Sequence, residues 1–463
     1  MPASNLDDFL AQYRSGILHI QKPVTLDHVG ALTAQSQQTI VFENLENYPD
    51  YRLVDLLFVN REAQARVLGC DPALVVPTLS QIMRRGPKRL VRVNDAACQE
   101  RVFTGDDVDL GLLPIVRHTP LDPYPYTTSF AIHKEIGTGR FNQMYPRCGV
   151  LSRNEMVTSF VTPTANRMLA AYRAAAERMP QAIVIGVHPA WELCGCYSHP
   201  HDDWWEMELY ESITGCPGQV VRCKTVDLVV PANASIVIEG YLSPTRTAQD
   251  GPSPGPTMLF TPYAMQQPVF EVTAITMRKR PIYRNHQMTP FTDHQEMPRL
   301  FHEAIIYDRL KAMGIKVRDV HFPQAGGALS VILQIEPAYE AQVTDALLAV
   351  MGSSWTNTKM VVAVDPDINI YDPRDVYYAL ASRVDPSRDV ITIPNTRGSS
   401  FDPSAIPIEG ATPDALQSRS PATVGKWGIN ATKPAPFRAE RRDYERAWPI
   451  GWGDVKLEDY KET

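Results

Sequence analysis

Thirty-nine prolines, against 26 glycines, are scattered through this chain of 463 residues, and no other feature constrains the fold as much. Proline fixes φ and removes a backbone donor, so this density excludes a long-helix architecture and favours extended segments joined by rigid loops. The length is about three times that of an ordinary compact domain, which implies two or three packed units. Hydrophobic residues at 44 % and charged residues at 21 % are globular proportions, adequate for large cores.

The formal charge of −7 and the absence of any dense Lys/Arg run exclude a phosphate-binding stripe, so nucleic acid is not expected as a partner. No window approaches the roughly 18 apolar residues that cross a bilayer. The opening MPASNLDDFLAQYRSG lacks the apolar core and small-residue site of a leader. A soluble, cytoplasmic protein with no membrane partner is the expectation. Cys70, Cys98, Cys148, Cys194, Cys196, Cys216 and Cys223 are odd in number and dispersed, the pattern of reduced thiols.

The pattern along the chain predicts an α+β protein in three parts. Residues 1–120 alternate short strands and helices: a capped helix from Ser4-Asn5, a strand in GILHIQKPV, and a helix from Arg61 to Leu68. Residues 121–297 read as a β barrel or sandwich. This part starts with a hairpin turning at Ile136-Gly137-Thr138-Gly139, is interrupted by a helix from Asn166 to Met179 stopped by Pro180, and continues as IVIGV, TVDLVVP, SIVIEGYL and VFEVTAITMR. A linker helix occupies 298–315, with Pro298 to Met313 ended by Gly314. Residues 316–463 form a second α/β unit, with strands in ALSVILQI and KMVVAV and helices from Pro337 to Met351 and near Pro373 to Ala381. Its last 60 residues read as an irregular docking tail bearing Trp427, Trp448 and Trp452.

Four candidate sites can be weighed on residue chemistry. His188, Cys194, Cys196, His199 and His201, with Asp202 and Asp203, suggest zinc, but their spacing matches no strong zinc pattern, and a polar loop between strands is the favoured reading. Asp365-x-Asp367-x-Asn369 starts like a calcium loop, yet Ile370 stands where the turn needs glycine and Val376 where a glutamate belongs; a helix starting at Asp372-Pro373 is favoured. Gly137 and Gly139 lack a third glycine and a strand-to-helix setting, so no dinucleotide fingerprint is assigned. In Asn142-Gln143-Met144-Tyr145-Pro146-Arg147, a carboxamide and a guanidinium five residues apart project to opposite faces of a regular strand. One could then face a phosphate and metal and the other a carboxylate.

NQMYPR, EMELYESITG, VPANASIVIEG, ITMRKRPIYRN and GKWGINATKP, in this order, resemble the UbiD-type decarboxylase family along nearly the whole chain. The resemblance implies a flavin-binding split β barrel in the centre and a prenylated flavin mononucleotide (FMN) cofactor, supplied by a flavin prenyltransferase. It also implies a divalent metal, Mn²⁺ or Mg²⁺, and possibly K⁺. The reaction would be reversible loss of CO₂ from an aromatic, heteroaromatic or α,β-unsaturated carboxylic acid, in a homo-oligomer, dimer or hexamer. Carried over residue by residue, Asn142 and Glu206 are metal ligands, Asn142, Gln143 and Lys426 bind cofactor, and Arg147 belongs to an acid–arginine–acid catalytic network.

Three departures from the family pattern stand out. The metal-site histidine has no counterpart in Val161 to Asn166, leaving water or Asn166 to fill in. The loop E-G-P-F-G-E is Asp250-Gly251-Pro252-Ser253-Pro254-Gly255, so the first acid survives as Asp250 and the second is Gly255. The aspartate of D-A-T is Asn430. Thr292-Asp293-His294 resembles an E-D-H element, which makes His294, with an unperturbed pKa near 6.5, the favoured proton donor and leaves Asp250 to orient Arg147. The alternative is a flavin-phosphate-binding relative with altered or lost decarboxylase activity; a third reading, a zinc hydrolase on the His/Cys cluster, leaves NQMYPR unexplained.

Overall fold

The computed structural model describes residues 4–160, 162–197, 204–255, 257–260, 265–353, 358–398, 401–408, 422–452 and 454–460. Three sheets share the first two-thirds of the chain, a three-stranded one of Val229–Pro231, Gln219–Arg222 and Val91–Val93 and two larger ones. The smaller of these two runs Ile17–Ile20, Thr39–Phe42, Arg52–Asp55 and Ile282–Arg284, its last strand lying parallel to Arg52–Asp55. The larger has nine strands among the described residues. In spatial order these are Tyr126–Thr127, Cys148–Ser152, Glu155–Thr158, Met265–Met277, Ile236–Asp250, Met179–Ile185, Ala131–Lys134 and Phe141–Met144, with Arg101–Thr104 on the flank of Met265–Met277. Strand Arg101–Thr104 comes from the stretch expected to belong to the first unit, and Ile282–Arg284 from the stretch expected to belong to the second.

Runs such as IVIGV are apolar throughout because the sheets are buried on both faces. Ile183, Ile185, Ile236 and Ile238 enter one core with Ile40, Phe42 and Leu53, whereas Ala182, Val184, Val237, Val41 and Val54 enter the other. Period-two alternation thus sorts neighbouring residues into separate cores. The long hairpin of Ile236–Asp250 and Met265–Met277 shifts register at Glu239/Gly240, where a side chain on Gly240 would sit 2.0 Å from the Glu271 carbonyl oxygen.

Helix Arg61–Leu68 forms where expected, capped by the Asn60 side chain on the Ala63 N–H and closed by Gly69 in the left-handed region. The helix expected from Asn166 to Met179 instead spans Pro163–Ala174. Ala176 (φ 55°) reverses the chain, and Met179 and Pro180 open a strand paired with Leu242 and Tyr241. Met168, Leu169 and Tyr172 still reach the core. Helix Glu296–Ala312 follows the large sheet and precedes the last one in the chain. Asp308 on it accepts from Ser80 and Arg84, and Glu303 pairs with buried Arg61 at 2.7 Å.

The last sheet orders Lys316–His321, Ser330–Glu336, Met360–Val364, Ala422–Ala431 and Val390–Gly398. Strand Ala422–Ala431 corrects the expectation of an irregular last 60 residues, since it lies in the middle of this sheet, parallel to Met360–Val364. Asp365 and Asp367 are held by Arg383, Lys433 and Arg441, and Asp372 caps helix Pro373–Arg383. Among the described residues no helix is long and apolar enough to cross a membrane.

Candidate functional site

A cavity of about 1330 Å³ opens between the large sheet and helix Glu296–Ala312. The hairpin Ala131–Lys134/Phe141–Met144 supplies one wall, its turn made by Gly137 (φ 83°) and Gly139 (φ 71°). Phe141 stacks on Trp205 with ring centroids 4.8 Å apart. Asn142 and Glu206 each follow one member of that stacked pair, and both line the cavity. Gln143 also lines it. Its Oε1 is buried without a partner, and the room for its amide exists because residue 195 is glycine: a Cβ there would lie 1.9 Å from Gln143 Nε2.

Arg147 and Asp250 lie off the cavity wall, in a buried network. The guanidinium donates to Asp122 Oδ1 and to Asp250 Oδ1, both at 3.0 Å, and rests 3.7 Å from the centre of the Tyr126 ring. The Tyr126 hydroxyl donates to Asp250 at 2.9 Å. Burial works against the charge of Arg147, but Asp250, Tyr126 and Asp122 more than offset it and raise its pKa. The network is therefore acid–arginine–acid, with Asp122 as a second acid that sequence reasoning missed. Asp122 stands 25 residues from Arg147 in a loop with no motif of its own, so only a three-dimensional pairing identifies it. At Gly255 a side chain would begin 2.6 Å from the Phe401 ring.

His294 lines the cavity with its ring 5.3 Å from that of His286. Burial, then Arg299, Arg147 and Arg284, push its pKa down to about 3. This corrects the expectation of an unperturbed histidine: near neutral pH the ring is uncharged and holds no imidazolium proton to give. Lys426 is not brought to the cavity. It is buried in strand Ala422–Ala431, its ammonium donating to the Met351 carbonyl at 3.0 Å, and burial lowers its pKa. Asn166 turns its amide back onto the Thr162 carbonyl and is not on the cavity wall, and Asn430 accepts from Thr432.

Of the histidine–cysteine cluster, His188 accepts from the Ala190 N–H at the start of a short helix, Cys194 is buried in the core, and Cys196 reaches the cavity. His199, His201, Asp202 and Asp203 lie outside the described residues. Among the described residues no group of three His, Cys, Asp or Glu side chains converges on a metal position.

A second buried network backs the cavity. Arg284 pairs with Asp55, with Glu192 at 3.3 Å and with Asp293 at 2.9 Å. Burial pushes Glu192 up to about 7 against the pull of Arg284, and burial likewise raises Glu296 to about 7 against Arg299. Burial lowers His118 and His294 to about 3 and His133, His188 and His302 to about 4. A depressed histidine must take up a proton on unfolding below about pH 6.5, so it costs stability as the pH falls through that window. Raised glutamates act in the opposite sense, favouring the fold at low pH and losing that contribution as the pH rises towards 7. With His286 and His321 also lowered and Asp293 and Asp319 also raised, seven histidines outweigh four acids, so the melting temperature is expected to fall between pH 7 and pH 5; an equal or higher value at pH 5 contradicts these assignments.

Comparison with known proteins accounts for this arrangement. Residues 89–290 match the 3-octaprenyl-4-hydroxybenzoate carboxy-lyase Rift-related domain and residues 296–431 the C-terminal domain of the same carboxy-lyase. The chain is 29 % identical to anhydromevalonate phosphate decarboxylase of Methanosarcina mazei, over 95 % of this chain and 98 % of that protein. Its fold superposes with a TM-score of 0.87 on the UbiD-class enzyme HmfF of Pelotomaculum thermopropionicum in complex with FMN, at 28 % identity, covering 99 % of this chain and 100 % of the other. An evolved dimeric form of HmfF, in complex with prenylated FMN, gives a TM-score of 0.84 at 26 % identity over 99 % of this chain and 100 % of that one. With both family domains matched in order over a cavity bordered by an acid–arginine–acid network, the chain belongs to the UbiD family of carboxy-lyases.

Proposed function

We propose that the protein is a prenylated-FMN-dependent decarboxylase, reversible in principle, of an aromatic, heteroaromatic or α,β-unsaturated carboxylic acid. The observation that carries this reading is Arg147, clamped by Asp122 and Asp250 behind a cavity lined by Asn142, Gln143 and Glu206. The donor set fits the cofactor. Asn142 and Glu206 offer hard oxygens, which with phosphate and water suit Mn²⁺ or Mg²⁺, with K⁺ as a further ion, and the unpartnered Gln143 Oε1 gives the cavity a buried acceptor. When bound, the prenylated flavin supplies the electron sink that loss of CO₂ from an sp² carbon requires.

The chain's own residues then position and exclude. Arg147 places a positive charge behind the pocket for the carboxylate, Asp122 and Asp250 hold its two Nη atoms, and the stacked aromatic pairs Phe141–Trp205 and Tyr197–Trp204 keep water from the pocket. In this reading the nine-stranded sheet is the split β barrel of the central domain, and the exposed Trp427, Trp448 and Trp452 belong to the contact surface of a homo-oligomer.

Mass spectrometry of the cofactor released after co-expression with a flavin prenyltransferase, together with CO₂ release from a panel of acids, tests the proposal. The panel includes a phosphorylated unsaturated acid, because the Methanosarcina mazei relative is named for one. Prenylated flavin with CO₂ release is the expected result. Flavin bound without CO₂ release or deuterium exchange supports the second reading, a flavin-phosphate-binding relative without decarboxylase activity, which Gly255 and the uncharged His294 favour. Glu206→Gln is expected to release both metal and cofactor; full occupancy of both removes Glu206 from the ligand set.

A further inference from the structure

Asp250 ends strand Ile236–Asp250, and the loop that follows it is pinned by a distant part of the chain. Gly255 has no side chain to lend to the chemistry; its bare backbone provides room for the ring of Phe401. A Cβ at 255 would lie 2.6 Å from Phe401 Cδ1 and 3.3 Å from Cε1, so ring and backbone are in direct contact. Two residues on, the Thr257 hydroxyl donates to the Phe401 carbonyl at 2.9 Å. The Thr257 carbonyl oxygen in turn sits 3.3 Å from where a side chain on Gly327 (φ 56°) would begin. The Gly255 N–H donates to the Leu259 carbonyl at 2.8 Å and the Met258 N–H to the Gly255 carbonyl at 3.0 Å, which ties this stretch into one piece.

Phe401 is fixed on its own side as well. The next residue, Asp402, accepts from the Ser404 N–H at 2.9 Å and from the Ser404 hydroxyl at 2.8 Å, and pairs with Lys359 at 3.2 Å. Lys359 immediately precedes strand Met360–Val364 of the last sheet, and its N–H donates to the Leu329 carbonyl at 2.7 Å. Contacts thus run without a break from that sheet through Lys359, Asp402 and Phe401 to Gly255. Of the four residues between Gly255 and Asp250, Pro252 and Pro254 have their φ fixed by the ring, so a displacement at Gly255 is carried to Asp250. Asp250 is where the Arg147 guanidinium and the Tyr126 hydroxyl both end.

We propose that Phe401 is a positioning residue for the decarboxylation: seated on Gly255, it fixes the loop that sets Asp250 against Arg147, so that the last sheet determines the geometry of the acid–arginine–acid network. This rests on the decarboxylase reading. Phe401, Gly255 and Thr257 are not among the residues of the cavity wall, so the effect falls on turnover rather than on substrate binding. The Arg147–Asp250 bond is 3.0 Å long, and a shift of about 1 Å takes such a bond beyond hydrogen-bonding distance.

The test uses the holoenzyme and, from the panel of acids, the one that the wild type turns over fastest. Phe401→Ala is expected to lower kcat about ten- to a hundredfold with KM changed by no more than about twofold. Phe401→Leu keeps an apolar group on Gly255 and is expected to recover most of the loss. In an Asp250→Asn background Phe401→Ala is expected to cost nothing further, because the group it positions is already gone, whereas a merely structural role would multiply the two losses. Crystal structures give a reading independent of turnover: the Arg147 Nη2 to Asp250 Oδ1 separation, 3.0 Å in the wild type, is expected to exceed about 3.5 Å in Phe401→Ala and to return in Phe401→Leu. Wild-type kcat in Phe401→Ala, multiplied losses in the double variant, or an unchanged separation overturns the proposal. If the wild type releases CO₂ from no acid, the decarboxylase reading fails and the separation alone decides whether Phe401 sets Asp250.

Discussion

Arg147→Lys is expected to lower CO₂ release by about a hundred- to a thousandfold while the protein still folds. The guanidinium spans Asp122 and Asp250 at 3.0 Å each from two different nitrogens, and a single ammonium cannot hold both carboxylates in that geometry. The Tyr126 ring beneath it also favours the planar group. Lysine keeps a positive charge beside two buried acids, so the loss should appear in turnover far more than in the melting temperature. Arg147→Met is the contrasting control: it strands both aspartates, and breaking such a buried pair costs about 3–5 kcal/mol. Wild-type turnover in the lysine variant would falsify the role given to Arg147.

Arg284→Met carries the larger structural penalty. Arg284 is 1 % exposed and is the common partner of Asp55, Glu192 and Asp293, so its removal leaves three acids buried with no counter-charge. A loss of about 3–5 kcal/mol is expected, a large share of the 5–15 kcal/mol that ordinarily holds a domain together. The deficit should depend on pH in a definite direction. Glu192 is already raised to about 7 and Asp293 is raised by burial with the arginine present, and without it both rise further, so the folded state binds more protons than the unfolded one. The deficit relative to the wild type should therefore shrink from pH 8 to pH 5.5, in urea titrations of both proteins at the two values. A variant with the wild-type midpoint at pH 8 would show that the cluster contributes little.

Where local chemistry decides structure, the sequence was a sufficient guide. Asn60 and Gly69 mark both ends of one helix, and the two turn glycines of the first long hairpin, Gly137 and Gly139, mark its reversal. Strand Ala422–Ala431 was not legible, because Gly425 and Gly428 break its alternation and its place is set by packing against Met360–Val364 rather than by its own preference. The site divides in the same way. Asn142, Arg147 and Glu206 sit in motifs that a reader of sequence can find. Asp122, Asp55 and His286 are held by partners 25 to 232 residues away, and the drop of His294 to about 3 comes from burial that no neighbouring residue announces.

The strand Ile282–Arg284 gives the chain a particular order of assembly on the ribosome. Residues 17–55 emerge early and can pair among themselves, yet Arg52–Asp55 keeps an open edge until residue 284 has been made. At about 5–20 residues per second, the roughly 230 intervening residues leave that edge bare for about ten seconds or more. During that interval the nascent protein carries an unpaired strand ending in Asp55, whose partner Arg284 does not yet exist. The acid at the end of the strand then serves a second purpose, since a charge there discourages pairing with other chains until the proper neighbour arrives.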